Sequence, residues 1–284
     1  MIEVENLDFT YKKGKKNAVD KIDFCIDKGE IFGFLGPSGA GKTTTQRILI
    51  GLLKGYHGSV RIMGKERSSW NRDFYDNVGV AFDFPNLYQK LTALENLKLI
   101  QSYYSGESQN IEELLDRVGL LADKDKKTES YSKGMKMRLN FVRAIMHDPE
   151  ILFFDEPTSG LDPVNAKIIK DIIVELKNRG KTIFLTTHNM TVADQLCDRV
   201  GFIVDGRLEV VDRPRELKVQ YGEPTVKLEY YEADSSRTME FRLEDISQNE
   251  DFFNTVKTKI IKTIHSQEAT LEDIFIKLTG RELL

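Results

Sequence analysis

At 284 residues the chain is long enough for one α/β nucleotide-binding core plus a small appendage and too short for two such cores. Its formal charge of −4 argues against a nucleic-acid partner, whose footprint would be a basic face or tail. Cys25 and Cys197 form neither a metal-ligand spacing nor a disulfide framework, which fits a reducing compartment. No apolar run approaches the ~20 residues that cross a bilayer, and the acidic start Met1 to Asp8 is not the pattern of a signal peptide.

Residues 1 to 35 alternate apolar and polar side chains, as in Ile2-Glu3-Val4-Glu5, with a Lys/Gly-rich turn near Lys12 to Lys16. This predicts antiparallel strands leading into a buried one, Ile31 to Leu35. Gly36-Pro37-Ser38-Gly39-Ala40-Gly41-Lys42-Thr43 then fills every fixed position of the phosphate-binding loop G-x-x-x-x-G-K-[ST], ahead of a helix predicted from Thr43 to about Leu53. Glycines let the backbone curl closely around phosphate oxygens, so that successive N–H groups and the positive end of the helix point at them. Lys42 supplies a point charge for the β- and γ-phosphates, Thr43 supplies a hydroxyl for Mg²⁺, and Thr44 completes the loop's candidate nucleotide contacts.

Strand signals return at Gly58 to Met63 and Val78 to Phe82, after which about residues 87–147 read as a helical insertion. Thr92-Ala93-Leu94-Glu95 is a capping box, Asn110 with Glu113 marks a second helix closed by Gly119, and Ser132 caps a third. On that third helix Met135, Leu139, Val142 and Met146 recur at helical spacing, as core residues do, until His147-Asp148-Pro149 stops it. Ile151 to Phe154 is a wholly apolar run typical of a parallel strand covered on both faces. It delivers Asp155 and Glu156 to the strand's carboxyl end, where ligands bind in open parallel sheets. Asp155 is the candidate Mg²⁺ ligand, directly or through water, and Glu156 the candidate base for an attacking water.

Ile168, Ile169, Ile172, Ile173 and Leu176 make the apolar stripe of another helix, ending at Gly180. Strand Thr182 to Thr186 brings His188 to the same rim, and Phe202 to Val210 predicts a hairpin with an Asp-Gly turn. Tyr221-Gly222-Glu223-Pro224 reads as the boundary between a first domain, 1–220, and a small C-terminal α+β domain, 221–284, that carries no chemical motif. With no internal repeat and no second phosphate loop, a second ATP site requires a second polypeptide.

In their order and spacing these motifs resemble the nucleotide-binding subunits of ABC transporters over about residues 1 to 215. The resemblance implies a P-loop NTPase core with an antiparallel β subdomain and a helical subdomain. It implies that Tyr11 stacks on adenine, and that Tyr131-Ser132-Lys133-Gly134-Met135 is the signature, whose Ser132 and Gly134 meet the ATP of a partner cassette. Ser159-Gly160-Leu161-Asp162 corresponds to the D-loop, adding Asp162 to the nucleotide contacts, and His188 to the switch histidine at the γ-phosphate, which makes Glu156, His188 and Lys42 the catalytic set. Two motifs depart from the family pattern: in the signature Lys133 and Met135 replace the first glycine and the glutamine, and in the Q-loop Asp83 stands where the family has glutamine. Asp83 can still reach Mg²⁺ or its water, which groups Thr43, Asp83 and Asp155 as metal ligands.

The signature spelling and the tail Leu271 to Glu282 resemble the ATP-binding subunits of ABC-2 type exporters. That likeness implies an ATPase using ATP and Mg²⁺ at the cytoplasmic face of the cell membrane, held there by an integral-membrane permease. It would pair with a second cassette, an identical one expected ahead of a different one, and Phe82, Phe84 and Tyr88 would line the permease-docking groove. The alternative is a soluble ABC ATPase of the cluster-assembly kind, which moves no solute.

Overall fold

The computed structural model describes residues 1–12, 16–106, 108–232 and 235–281; positions 13–15 of the expected turn, and Glu282, lie outside the described residues. The chain forms two compact units, Met1–Val211 and a second beginning at Asp212.

In the first unit, β1 (Ile2–Phe9) and β2 (Val19–Ile26) pair antiparallel, and their alternating side chains bury Ile2, Val4, Leu7, Ile22 and Phe24 on one face. The fully buried β3 (Ile31–Leu35) leads through the glycine-rich loop into α1 (Lys42–Leu49). The apolar pattern Ile50, Leu52, Leu53 suggests a longer helix, but the chain turns at Gly51, with φ 79°, and the Leu52 and Leu53 N–H groups both fold back onto the Arg47 carbonyl. Next come β4 (His57–Ile62), the short β5 (Lys65–Glu66) and β6 (Val78–Ala81), which ends one residue before Phe82.

The helical insertion comprises α2 (Ala93–Gln101), α3 (Ile111–Arg117) and α4 (Lys133–Ile145). Each begins at its expected cap: Thr92 accepts from Glu95 N–H in a capping box, Asn110 from Glu112 and Glu113 N–H, and Ser132 from Met135 N–H. Six more elements complete the unit: β7 (Ile151–Asp155), α5 (Pro163–Asn178), β8 (Thr182–Thr187), α6 (Met190–Leu196) and β9 (Arg199–Val204) with β10 (Arg207–Asp212). The turn between β9 and β10 has positive φ at Asp205 and Gly206, as a tight two-residue hairpin requires.

Two sheets result, ordered β2-β1-β4-β5 and β10-β9-β3-β8-β7-β6, with β9, β3, β8, β7 and β6 parallel. Phe24 of the first sheet stacks on Phe32 of the second with centroids 5.5 Å apart, and Phe34 lies 5.4 Å from Phe184, so aromatic rings fill the core between the sheets.

The second unit holds α7 (Pro214–Tyr221), the antiparallel sheet β12-β11-β13 from β11 (Thr225–Glu232), β12 (Ser235–Arg242) and β13 (Ile260–Gln267), and α8 (Glu250–Thr258) and α9 (Leu271–Thr279). The division at Asp212 precedes the expected boundary at Tyr221 because α7 packs on α9, where Lys277 donates to the Tyr221 carbonyl at 3.1 Å.

His147, just beyond α4, gives the first unit a pH dependence. Its ring stacks on Tyr104 with centroids 3.7 Å apart, Nε2 lies 3.1 Å from the Val78 carbonyl, and Nδ1 is buried with no partner among the described residues. Burial pulls its pKa from 6.5 down to about 4, against the Val78 bond, which raises it. The folded state therefore resists a proton that the unfolded chain accepts: stability is full above about pH 6.5 and falls as pH drops toward 4. Between pH 7 and 5 the loss should be about 2 kcal/mol. Urea unfolding at the two pH values should show this slope in the parent and a much flatter one in His147→Phe.

Candidate nucleotide site

The parallel register pairs Leu35 with Thr187 and Asp155 with Thr186, so the loops that follow β3, β7 and β8 leave the sheet on one rim. They enclose a cleft of about 360 Å³ lined by Ser38, Gly39, Gly41, Lys42, Thr43, Thr44, Asp83, Lys133, Asp155, Glu156, Ser159 and His188.

On one wall, α1 starts at Gly41 with no side-chain cap and no acidic residue in its first turn, which leaves its positive end available to an anion. Gly41 has φ 115°, and a Cβ there would fall 2.5 Å from the Ala18 carbonyl oxygen, so the loop requires glycine on two counts. Lys42 donates to the carbonyls of Gly36 at 2.5 Å and Pro37 at 2.9 Å, which draws its ammonium across the loop. Burial lowers its pKa, while Glu156 and Asp155 work in the opposite direction.

The opposite wall is acidic. Asp155 is buried; its Oδ1 accepts from the Thr186 hydroxyl, and its Oδ2 has no partner among the described residues. Burial raises the Asp155 pKa, the Thr186 hydrogen bond opposes this, and Asp83 and Glu156 raise it further by repulsion. A buried carboxylate oxygen without a hydrogen bond and the hydroxyl of Thr43, which lines the same cleft, are hard donors that fit Mg²⁺. Among the described residues no group of three or more His, Cys, Asp or Glu side chains makes a metal cage.

Glu156 sits at φ 49°, a costly conformation for a non-glycine residue, fixed by its N–H bond to the Thr186 carbonyl at 2.9 Å. Its carboxylate takes three donors: the Thr187 hydroxyl on Oε2 at 3.0 Å, and on Oε1 the His188 N–H at 2.8 Å and Nδ1 at 2.6 Å. A carboxylate only accepts, so Nδ1 carries the hydrogen. The Thr187 hydroxyl also caps the following turn by accepting from Asn189 N–H, which locks the switch segment to Glu156.

The structure brings Lys42, Thr43, Thr44, Asp83, Asp155, Glu156 and His188 into the cleft with Ser38, Gly39 and Gly41. Gly36, Pro37 and Ala40 complete the loop beneath it without lining it. Tyr11 is exposed beside α1, its hydroxyl 3.1 Å from Thr44 Oγ1 and its ring edge-on to Phe9. Ser132 and Gly134 lie at the start of α4 outside the cleft lining, with Tyr131 anchored below them by its hydroxyl on the Asp123 carbonyl at 2.7 Å. Asp162 also lies outside the lining: within this chain it caps α5, accepting from Val164 N–H, Asn165 N–H and the Asn165 amide.

Asp83 is held near Asp155 because α4 grips its loop. The buried Asn140 donates to the Phe82 carbonyl at 2.7 Å and Arg143 to the Asn86 carbonyl at 2.6 Å. Sequence reasoning did not place Lys133 and Ser159 in this cleft, and it did not find the supporting roles of Thr186 and Thr187, whose hydroxyl-rich strand end was the available signal.

Residues 19–159 match the ABC transporter family, and the whole chain aligns with the fluoroquinolones export ATP-binding protein of Mycobacterium tuberculosis at 49% identity, covering 100% of this chain and 94% of that protein. The chain belongs to the ABC transporter family. As an ABC transporter ATP-binding subunit it binds and hydrolyses ATP. The bacitracin transport ATP-binding protein of Enterococcus faecalis is 34% identical over 99% of this chain and 96% of that one. Residues 224–268 match the fluoroquinolone efflux ABC transporter C-terminal domain.

Among solved structures, the ATP-binding subunit of an ABC transporter superposes with TM-score 0.71 at 29% identity, over 78% of this chain and 93% of that one. A dimeric ATP-binding cassette in a post-hydrolysis state, bound to ADP and Pi, superposes with TM-score 0.69 at 29% identity, over 75% and 98%. Among the described residues of this ABC subunit no helix is long and apolar enough to cross a membrane.

Proposed function

We propose that this chain is the ATP-hydrolysing subunit of an exporter for fluoroquinolone-like drugs, working at the cytoplasmic face of a membrane as a head-to-tail pair of identical cassettes. The observation that carries the reading is the full-length similarity to a fluoroquinolones export ATP-binding protein, which extends through the C-terminal unit as well as the cassette. Exporter subunits among the other relatives favour transport over a soluble cluster-assembly role.

In the proposed site the α1 terminus and Lys42 hold the phosphates, and Thr43 with Asp155 would hold Mg²⁺, which when bound neutralises phosphate charge. Asp83, on the same cleft, has the reach to join through a water. Glu156 accepts a proton from the water whose oxygen attacks the γ-phosphorus; the bond from that phosphorus to the β–γ bridging oxygen breaks, leaving ADP and phosphate. His188 orients the Glu156 carboxylate through Nδ1 and presents its Nε2 side toward the γ-phosphate. Ser132, Gly134 and Asp162 contribute from the partner cassette, which agrees with their position outside the chain's own cleft.

Phe82 is half-buried against the core, whereas Phe84 is 73% exposed and Tyr88 52% exposed. The last two are the side chains available for a permease helix. Because their loop is clamped to α4, movement of the signature helix reaches the membrane subunit directly.

Tagged Glu156→Gln chain isolated with Mg-ATP from detergent-solubilised native membranes should bring down an integral-membrane protein at near-equal stoichiometry. Deleting that partner should raise fluoroquinolone sensitivity; recovery of soluble partners alone would refute the transporter reading. Tyr11→Ala is expected to weaken ATP binding roughly tenfold, the scale of one base–aromatic stack, with Tyr11→Phe close to parental in nucleotide titrations.

A further inference from the structure

Two of the three positions that depart from the family pattern meet in one place: Asp83 and Lys133 both line the phosphate cleft of their own chain. Asp83 adds a third carboxylate to Asp155 and Glu156, and its repulsion is felt at Asp155. Lys133 begins α4, and its side chain lies along Gly160: a Cβ there would stand 3.1 Å from Lys133 Cε and 3.4 Å from Nζ. Gly134 packs over the same turn, its Cβ position 3.6 Å from the Gly160 carbonyl and 3.5 Å from Leu161. The side chain therefore runs along the Ser159–Gly160 turn and lines the cleft, while Ser132, one residue earlier, stays outside it.

We infer that Lys133 binds the phosphates of the ATP held by its own chain, offsetting the charge of Asp83, so that the signature segment serves two nucleotides: Lys133 in cis and Ser132 in trans. This rests on the reading that two cassettes share each ATP. A chain with glutamine at 83 and glycine at 133 would carry the same net charge in this cleft, and the observed pair restores that balance by two opposite changes.

The test uses full-length chains carrying two different tags, purified sequentially so that mixed dimers are isolated. Lys133→Met should lower kcat/KM for ATP about tenfold or more, the scale of a lost charge-assisted hydrogen bond. Lys133→Arg should retain activity, and Asp83→Gln added to Lys133→Met should restore most of the loss, which a merely structural role of Lys133 would not allow. In a dimer of a Lys133→Met chain with a Glu156→Gln chain, only the first chain's cleft turns over, and it faces an intact signature.

Its rate should fall about tenfold below the dimer of parental and Glu156→Gln chains, whereas a Ser132→Ala chain with a Glu156→Gln chain should match that reference. A Lys133→Met mixed dimer at the reference rate, or no recovery on adding Asp83→Gln, overturns the cis assignment. A Ser132→Ala mixed dimer as slow as the Lys133→Met one would instead count against sharing of ATP between cassettes.

Discussion

Glu156→Gln is expected to leave ATP bound and to slow its hydrolysis by roughly 10²–10⁴-fold, the usual contribution of a positioned general base. The amide keeps the size of the side chain, and its oxygen can still accept from the His188 N–H. It cannot take up the proton of the attacking water. Of the three donors that surround the native carboxylate, Thr187 has a hydroxyl able to turn and accept from the new amide, so the φ 49° turn at residue 156 should survive. Single-turnover hydrolysis measured beside equilibrium ATP binding separates the two effects. Hydrolysis at the parental rate would move the base to another residue.

Gly41→Ala should damage both the stability of the cassette and its grip on nucleotide. It places a Cβ at φ 115° and 2.5 Å from the Ala18 carbonyl oxygen, a backbone atom of β2's approach that has no freedom to swing away. Backbone strain of about 1–2 kcal/mol and overpacking of about 1–3 kcal/mol together predict a loss near 3 kcal/mol. A loop displaced by about 1 Å also loses its aim on the phosphates, with ATP affinity falling on the order of a hundredfold. Gly39→Asn is the comparison: φ is 78° but nothing lies within 4 Å of the Cβ position, so the cost should stay near 1 kcal/mol. Urea unfolding with ATP titration of both variants checks the contrast, and equal stabilities would show that the contact at Ala18 does not constrain the loop.

The features legible in the sequence are those set by neighbouring residues. Thr92, Asn110 and Ser132 announce their helices because each side chain bonds an N–H two or three positions on, and the phosphate loop is readable because its backbone path demands particular residues at fixed spacing. Where a longer-range contact decides, local pattern is not enough. The apolar residues after α1 continue a helical pattern, yet the helix ends at Leu49 because Gly51 lets the chain fold back over Arg47. Tyr221-Gly222-Glu223-Pro224 looks like a linker, but the packing of α7 on α9 moves the division to Asp212.

Lys133 is the sharpest case within the site. Its place in the signature points to a partner's nucleotide, and only the approach of α4 to Gly160, 27 positions later, brings its side chain to the cleft of its own chain. Asp83 was readable as a departure from the family pattern, but its effect on Asp155 depends on the grip of Asn140 and Arg143 on the intervening loop.

Whether two cassettes share ATP can be read from the mass of the Glu156→Gln chain in solution, by light scattering with and without saturating Mg-ATP. A single chain is 32.6 kDa. Shared ATP predicts twice that mass with Mg-ATP and a return to the single-chain value when Ser132→Ala is added. A single-chain mass at saturating Mg-ATP, with nucleotide demonstrably bound, would contradict it.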